Sequence, residues 1–124
     1  MINQRLETFE QFWPSYLGEH LNPLNRVLHF IGTSMVYALL VAGLVQSPRW
    51  FLLAPLFGYG FAWVGHFFVE RNRPATFSYP FWSLRGDFRM HFRTLTGQLG
   101  KDLALIVLRG LPAGAAAPRG EFNA

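Results

Sequence analysis

The sequence contains no cysteine, and this absence excludes several kinds of chemistry. Disulfide bonds, thiolate nucleophiles and thiolate metal ligands are all ruled out, so a metal site would need histidine nitrogens or oxygen ligands. Charged residues are also scarce, since they make up 15% of the chain whereas a soluble domain carries about 25%. The formal net charge of +4 is small and spread along the chain, so nothing indicates nucleic acid as a partner.

Common catalytic motifs are missing too. No serine lies in a nucleophile elbow, and no His-Glu-x-x-His pair occurs. Gly58 and Gly60 lie inside an apolar segment without a following Lys-Ser or Lys-Thr, so they do not form a phosphate-binding loop. The chemistry of this chain must therefore be sought in other residue types.

Two long apolar segments dominate a chain that is 51% hydrophobic and 17% aromatic. Residues 27–46 have no acidic or basic side chain apart from His29, and in residues 50–69 His66 is the only ionisable group besides a tyrosine. A helix of this length, at ~1.5 Å per residue, can cross a hydrocarbon core of ~30 Å. The linker Ser47-Pro48-Arg49 is too short for anything but an antiparallel hairpin.

We predict an all-α fold, a small integral membrane helical bundle built on this two-span hairpin. An amphipathic helix precedes the hairpin, with apolar side chains at helical spacing: Leu6, Phe9, Phe12, Trp13, Tyr16 and Leu17. After it, Asn72-Arg73-Pro74 ends the second span, and residues 77–92 form an interfacial segment. Residues 103–111 form a short helix that is either packed on the bundle or tilted in the interface. A soluble bundle is the alternative, but the chain has too few other residues to wrap two such segments.

The predicted domain is a single one, residues 1–111, followed by an Ala-, Gly- and Pro-rich tail, residues 112–124, without stable structure. Arg49 is the one basic residue in the hairpin turn, and all other lysines and arginines flank the hairpin. The positive-inside rule therefore places both termini in the cytoplasm, with the protein in the inner membrane of a bacterium or the endoplasmic reticulum of a eukaryote.

The four histidines are the residues that most suggest chemistry. An antiparallel hairpin brings the start of its first helix beside the end of its second, so His20, His29 and His66 fall at one membrane face. Converging imidazoles are ligands for Fe(II), Zn(II) or Mn(II). His91 lies in the following interfacial segment, and we expect that it can fold back to the same place.

Glu70 lies four residues after His66 and therefore on the same helix face, so a site of two histidines and one carboxylate is one arrangement to consider. Simpler interpretations remain open. A histidine can hydrogen-bond between helices, Glu70 can pair with Arg71 or Arg73, and Asp87 can form a solvated cluster with Arg85 or Arg89. Small residues at four-residue steps before His66 permit close helix approach and would allow a homo-oligomer: Gly58 and Ala62.

Three stretches carry a resemblance to a known family. They are residues 12–33 (FWPSYLGEHLNP, then NRxxHxxGT), residues 65–76 (GHFFVERNRPAT) and residues 86–90 (GDFRM). Together they resemble the small membrane family that includes the fungal 2-hydroxy-fatty-acid dioxygenase of phytosphingosine breakdown. The resemblance covers roughly residues 8 to 105.

The resemblance implies an Fe(II)-dependent dioxygenase that uses O₂ to shorten a 2-hydroxy fatty acid by one carbon. His20, His29 and His66 match the family's histidine positions and would bind the iron, with His91 as a further candidate ligand. Arg26 or Arg73 would pair with the substrate carboxylate, and Glu70 would be a fourth ligand or would orient a histidine. The acyl chain would lie between the spans or among a set of aromatic residues: Phe67, Phe68, Phe77, Phe81 and Trp82.

Two other functions remain open from the sequence. One is a non-catalytic membrane protein whose histidines hold a structural metal or hydrogen-bond across helices. The other is a different metal-dependent lipid enzyme, such as a hydrolase that uses Zn(II).

Overall fold

The computed structural model describes residues 5–109, and over this range the chain is helical without strands. Its α-helices are α1 (Phe9–Gly18), α2 (Pro23–Val45), α3 (Leu53–Val64), α4 (Pro80–Leu95) and α5 (Leu99–Arg109). Shorter helical turns cover Pro48–Leu52, Gly65–Glu70 and Ala75–Phe77, and the second of these is a π-helical turn. The all-α prediction is confirmed for the described residues, whereas the predicted tail, residues 112–124, lies outside them.

The two apolar segments form the predicted hairpin. α2 begins four residues earlier than its apolar run, because the Asn22 side chain accepts a hydrogen bond from the Leu24 amide at 2.9 Å and Pro23 occupies the first turn. The second arm is continuous from Pro48 to Glu70, through α3 and the π-helical turn. Each arm is 23 residues long and apolar enough to cross a membrane.

Exposure of the hairpin argues against a soluble bundle. Only 22% of the most apolar window of each arm is buried, whereas the core helix of a soluble protein is mostly buried. Leu44 and Leu52, near the turn of the hairpin, are each 80% exposed. The small-residue stripe is used within the chain, because Ala62 is buried and a Cβ atom on Gly58 would lie 3.0 Å from Val36 of α2.

The remaining helices pack into a core beside the start of the hairpin. α1 buries the predicted aromatic face despite Pro14 inside it, and Phe12, Trp13, Tyr16 and Leu17 are almost fully buried. α4 packs against both α1 and α2, and α5 closes over α1. On α4, Arg93 forms a buried ion pair with Asp102 of α5, with Arg93 Nη2 donating to Asp102 Oδ1 at 2.9 Å.

Three chain segments meet at the open end of the hairpin: the end of α1, the start of α2 and the end of the second arm. The backbone N–H of Asn22 donates a hydrogen bond to Glu70 Oε1. The side-chain Nδ2 of Asn72 donates to the backbone carbonyl of Glu19 at 2.9 Å. Gly65 allows the arms to touch, because a Cβ atom there would overlap Oδ1 of Asn25. This junction carries the histidines.

Candidate metal centre

Three histidines from three segments converge at the junction. His20 follows α1, His29 lies on α2 and His66 lies in the π-helical turn, and none is more than 3% exposed. One ring nitrogen of each lies within 4.8 Å of the other two. The ring centres are 4.4 to 4.9 Å apart and the ring planes are nearly perpendicular, so the imidazoles form T-shaped pairs.

The outer nitrogen of each imidazole faces an oxygen. Nδ1 of His20 lies 2.5 Å from the Tyr16 carbonyl, and Nδ1 of His29 lies 3.0 Å from the Asn25 carbonyl. Nδ1 of His66 lies 2.7 Å from the amide oxygen of Asn72, whose orientation is fixed because its Nδ2 donates to Glu19. Since carbonyl oxygens only accept, each Nδ1 carries the hydrogen and each Nε2 presents a lone pair.

The inward nitrogens fit a metal ion. Nε2 of His20 and Nε2 of His29 are 3.2 Å apart, and with both tautomers fixed neither has a hydrogen to donate to the other. Two nitrogen ligands bound at about 2.1 Å to one ion would be about 3.0 to 3.4 Å apart at angles of 90–110°. A shared cation therefore satisfies a pair of lone pairs that would otherwise repel each other.

The protonation state of His20 suits the same role. Burial, together with the neighbouring imidazoles of His29 and His66, lowers the pKa of His20 well below its usual value. His20 is therefore neutral at physiological pH, as a metal ligand must be.

Local backbone structure explains how His66 reaches the junction. The π-helical turn adds a residue to the helical repeat, a feature that often marks functional sites. Arg71 then takes a left-handed conformation with φ 58°, and the Asn72 amide donates to the His66 carbonyl at 2.9 Å. This reversal places the Asn72 side chain beside the His66 ring.

The family to which the chain belongs agrees with this geometry. A family model described as 2-hydroxy-palmitic acid dioxygenase Mpo1-like matches residues 6–99. The chain belongs to the Mpo1-like family. No curated protein and no solved structure shows a significant match to it. The family resemblance read from the sequence is confirmed, and the matched residues include all four histidines.

The structure of this Mpo1-like chain does not bring His91 to the other three histidines. Nε2 of His91 lies 2.9 Å from the Ser34 hydroxyl, and its ring stacks on Phe30 at 4.5 Å. The expectation that His91 folds back to the cluster is therefore not met. The physical reason is the course of α4, which runs beside α2 and places His91 next to a later turn than the one carrying His29.

The predicted charged residues lie around the cluster with different partners. Glu70 is half-buried and accepts from the Asn22 amide, so it joins the hairpin end to the α1–α2 turn. Arg26 donates from Nη1 to the carbonyls of His20 and Leu21 at 2.9 and 2.8 Å. Arg73 is exposed, and its guanidinium lies 4.9 Å from the centre of the Phe77 ring.

Sequence reasoning missed Tyr16 and misread Asp87. The Tyr16 hydroxyl donates to Asp87 Oδ1, and the Tyr16 ring stacks on His20 with centres 4.1 Å apart. Burial raises the pKa of Asp87 to about 7. The interpretation of Asp87 as part of a solvated cluster with arginines is therefore wrong, because its partner lies 71 residues away on α1.

In the described part of this Mpo1-like fold, one cavity reaches the histidine cluster and another lies near it. A groove of about 340 Å³ lies between α2, α3 and α4 and begins at His29. A larger open depression, of about 770 Å³, lies over the end of the second arm and is lined by Phe67, Phe68, Arg71, Asn72, Arg73 and Phe77. Either one is large enough to hold part of a lipid.

Proposed function

We propose that the protein is a membrane-embedded Fe(II)-dependent dioxygenase that shortens 2-hydroxy fatty acids by one carbon. The convergence of one ring nitrogen each from His20, His29 and His66 is the observation that carries this proposal. The description of the family supplies the substrate class and the reaction type. When bound, Fe(II) supplies electrons for O₂ reduction and open positions at which a 2-hydroxy acid can chelate.

The protein residues would hold and shield the site. Tyr16, Asn25 and Asn72 supply the oxygen atoms that keep the three Nδ1–H groups pointing outward. Such outer partners fix ring orientation and raise the basicity of a ligand. Because the histidines are buried, bulk water would be excluded from the reacting atoms.

We assign the substrate carboxylate to Arg26 rather than to Arg73. Arg26 lies nearer the cluster, since it donates to the His20 carbonyl and shares a tightly packed crevice with His29 and Asp87. Arg73 lies exposed against Phe77. Glu70 is not among the converging ligands, so we assign it a positioning role, in which it holds the turn that carries His20.

The overall reaction balances with O₂ as the only oxidant. The 2-hydroxy acid gives up four electrons when its hydroxyl-bearing carbon becomes the new carboxyl and its old carboxyl carbon leaves as CO₂. One O₂ accepts these four electrons, and one water is released with the shortened acid. No external reductant is needed.

We also propose that the hairpin spans a membrane with both of its ends on the cytoplasmic side. The apolar length and low burial of both arms support insertion. The Asn22–Glu70 contact supports a common side for the hairpin ends, and the distribution of Lys and Arg supports the cytoplasmic side. The membrane would be the inner membrane in a bacterium and the endoplasmic reticulum in a eukaryote.

Metal and product analysis of the purified protein tests the proposal. We expect about one iron per chain and, with 2-hydroxypalmitate and O₂, a fatty acid one carbon shorter. Zinc in place of iron would favour a zinc-dependent lipid hydrolase. Bound iron without a shortened product would favour a structural metal, and no bound metal would favour a histidine hydrogen-bond cluster.

A further inference from the structure

The groove between α2, α3 and α4 has one polar end and an otherwise apolar lining. On α2 it is lined by His29, Thr33, Val36 and Leu40, which share one face at helical spacing. The opposite walls are built from α3, the turn before it, and α4: Phe51, Ala54, Pro55, Gly58, Tyr59, Leu84, Asp87 and Phe88. Towards Leu40 and Phe51 the lining is entirely apolar.

The polar end of the groove is continuous with the histidine cluster. His29 and Asp87 line the groove, and both also border the tightly packed crevice that contains Arg26. An imidazole of the candidate metal centre, the Thr33 hydroxyl and the Asp87 carboxyl therefore line this end, and Arg26 lies nearby. These groups complement an anionic head with a neighbouring hydroxyl, whereas the rest of the groove complements hydrocarbon.

The length of the groove matches a long acyl chain. From His29 to Leu40 it follows α2 for eleven residues, which at 1.5 Å per residue is about 16 Å. One leaflet of a bilayer, half of a ~30 Å hydrocarbon core, is about 15 Å thick and is built from the acyl chains of membrane lipids. Leu40 and Leu84 are 37% and 45% exposed, so the groove has a side that is open to surrounding lipid.

The open depression beside the second arm fits the same ligand less well. It contains Arg71 and Arg73, and its phenylalanines are largely exposed, with Phe68 at 74%. Its lining includes Asn72, the partner of His66, but none of the three histidines. An acyl chain bound there would not be continuous with a carboxylate head group bound at the histidine cluster.

We propose that the groove between α2, α3 and α4 binds the acyl chain of the substrate, and that Ala54 and Phe51 at its far end limit the chain length. The head would lie at His29, Thr33 and Asp87, and the methyl end would lie beside Phe51. This assignment takes the chemistry of the head group from the proposed function. Binding of the chain can nevertheless be measured without turnover.

Photolabelling of the full-length protein tests the location. The probe is a 2-hydroxy C16 acid with a diazirine at mid-chain, used without O₂ so that no turnover occurs. We expect labelled peptides from α2 and α3 at Val36, Leu40 and Pro55, with the label lost when excess 2-hydroxypalmitate competes. Label at residues 67–77, or label on the hairpin exterior that 2-hydroxypalmitate does not compete away, would overturn the proposal.

Two substitutions test the length limit. Val36→Phe fills the middle of the groove and removes contacts to at least two methylene groups, so 2-hydroxypalmitate affinity should fall about tenfold or more. Leu44→Phe, on the exposed surface of the same helix, is the matched control and should change nothing. Ala54→Leu is the milder variant, and it should weaken binding of the C16 acid while sparing a C10 acid.

The two proposals fail in different ways. If Ala54→Leu shifts the chain-length preference but iron-loaded protein forms no shortened product, the groove assignment stands and the dioxygenase assignment fails. If product forms while folded Val36→Phe and Ala54→Leu proteins bind all chain lengths as the parent does, the groove assignment fails alone.

Discussion

Nε2 of His20 and Nε2 of His29 lie 3.2 Å apart although nine residues and a helix break separate the two histidines. The break is the turn between Gly18 and Pro23, which redirects the chain, and the planes of the two rings are 82° apart. Arg26 fixes that turn through the carbonyls of His20 and Leu21. The relative positions of the two ring nitrogens therefore depend on the identity of the residues that form this turn and the cluster.

Metal content should depend on three histidines and not on the fourth. Replacing His20, His29 or His66 with alanine leaves two converging nitrogens, and each variant should lose bound metal. His91→Ala is the matched control, because His91 bonds to Ser34 outside the cluster, and it should keep the full metal content. Elemental analysis of the purified variants measures this. Loss of metal from His91→Ala, or retention in His66→Ala, would show that the ligand set is different.

Asn72 should tune metal affinity without touching the metal. Asn72→Ala removes the oxygen that accepts from His66 Nδ1–H, so the ring is free to turn and affinity should fall by about 10- to 100-fold. Asn72→Asp keeps an acceptor at the same place and should restore most of the affinity. Competition with a metal chelator measures both. Equal losses in the two variants would mean that Asn72 acts only through its bond to Glu19.

Gly65 should tolerate no side chain, whereas Gly60 should. A methyl group at Gly65 would overlap the side-chain amide of Asn25, so Gly65→Ala should lower the free energy of unfolding by about 1 to 3 kcal/mol. A Cβ atom at Gly60 meets nothing within 4 Å, and Gly60→Ala should be neutral or stabilising by up to about 1 kcal/mol. Thermal unfolding in detergent measures both. Combining Gly65→Ala with Asn25→Ala should recover part of the loss, and failure to do so would place the clash elsewhere.

Asp87 should make stability depend on pH. Burial raises its pKa to about 7, so between about pH 4 and pH 7 the folded protein binds more protons than the unfolded chain. The contribution of Asp87 to the free energy of unfolding therefore falls as the pH rises through that interval. Asp87→Asn keeps an oxygen for Tyr16 but does not titrate. The melting temperature of Asp87→Asn minus that of the parent protein should increase from about pH 5 to about pH 8. A difference that stays constant over this range would contradict the assignment.

The sequence alone was sufficient to predict the hairpin and the convergence of three histidines at one end of it. The hairpin follows from apolar length alone, and the antiparallel arrangement follows from a three-residue linker. His29 and His66 then lie at one end by geometry. The start of α2 was also encoded locally, in Asn22 and Pro23, although the apolar run by itself placed it too late.

Other features depend on contacts that no local pattern reveals. The π-helical turn at Gly65 and the left-handed Arg71 are needed to bring Asn72 to His66, and neither has a distinctive local sequence. The bond from Tyr16 to Asp87 joins residues 71 apart. The position of His91 depends on where α4 crosses α2, which is a matter of tertiary packing rather than of periodicity.

The assembly of the centre from three separate segments has a consequence for biosynthesis. A ribosome releases His20 and His29 well before His66, and the two early histidines alone offer only two nitrogens. A nascent chain with one arm inserted therefore has no complete binding site. A metal bound by all three histidines would therefore be captured after the hairpin closes and α1 docks, and it would then fasten the three segments together.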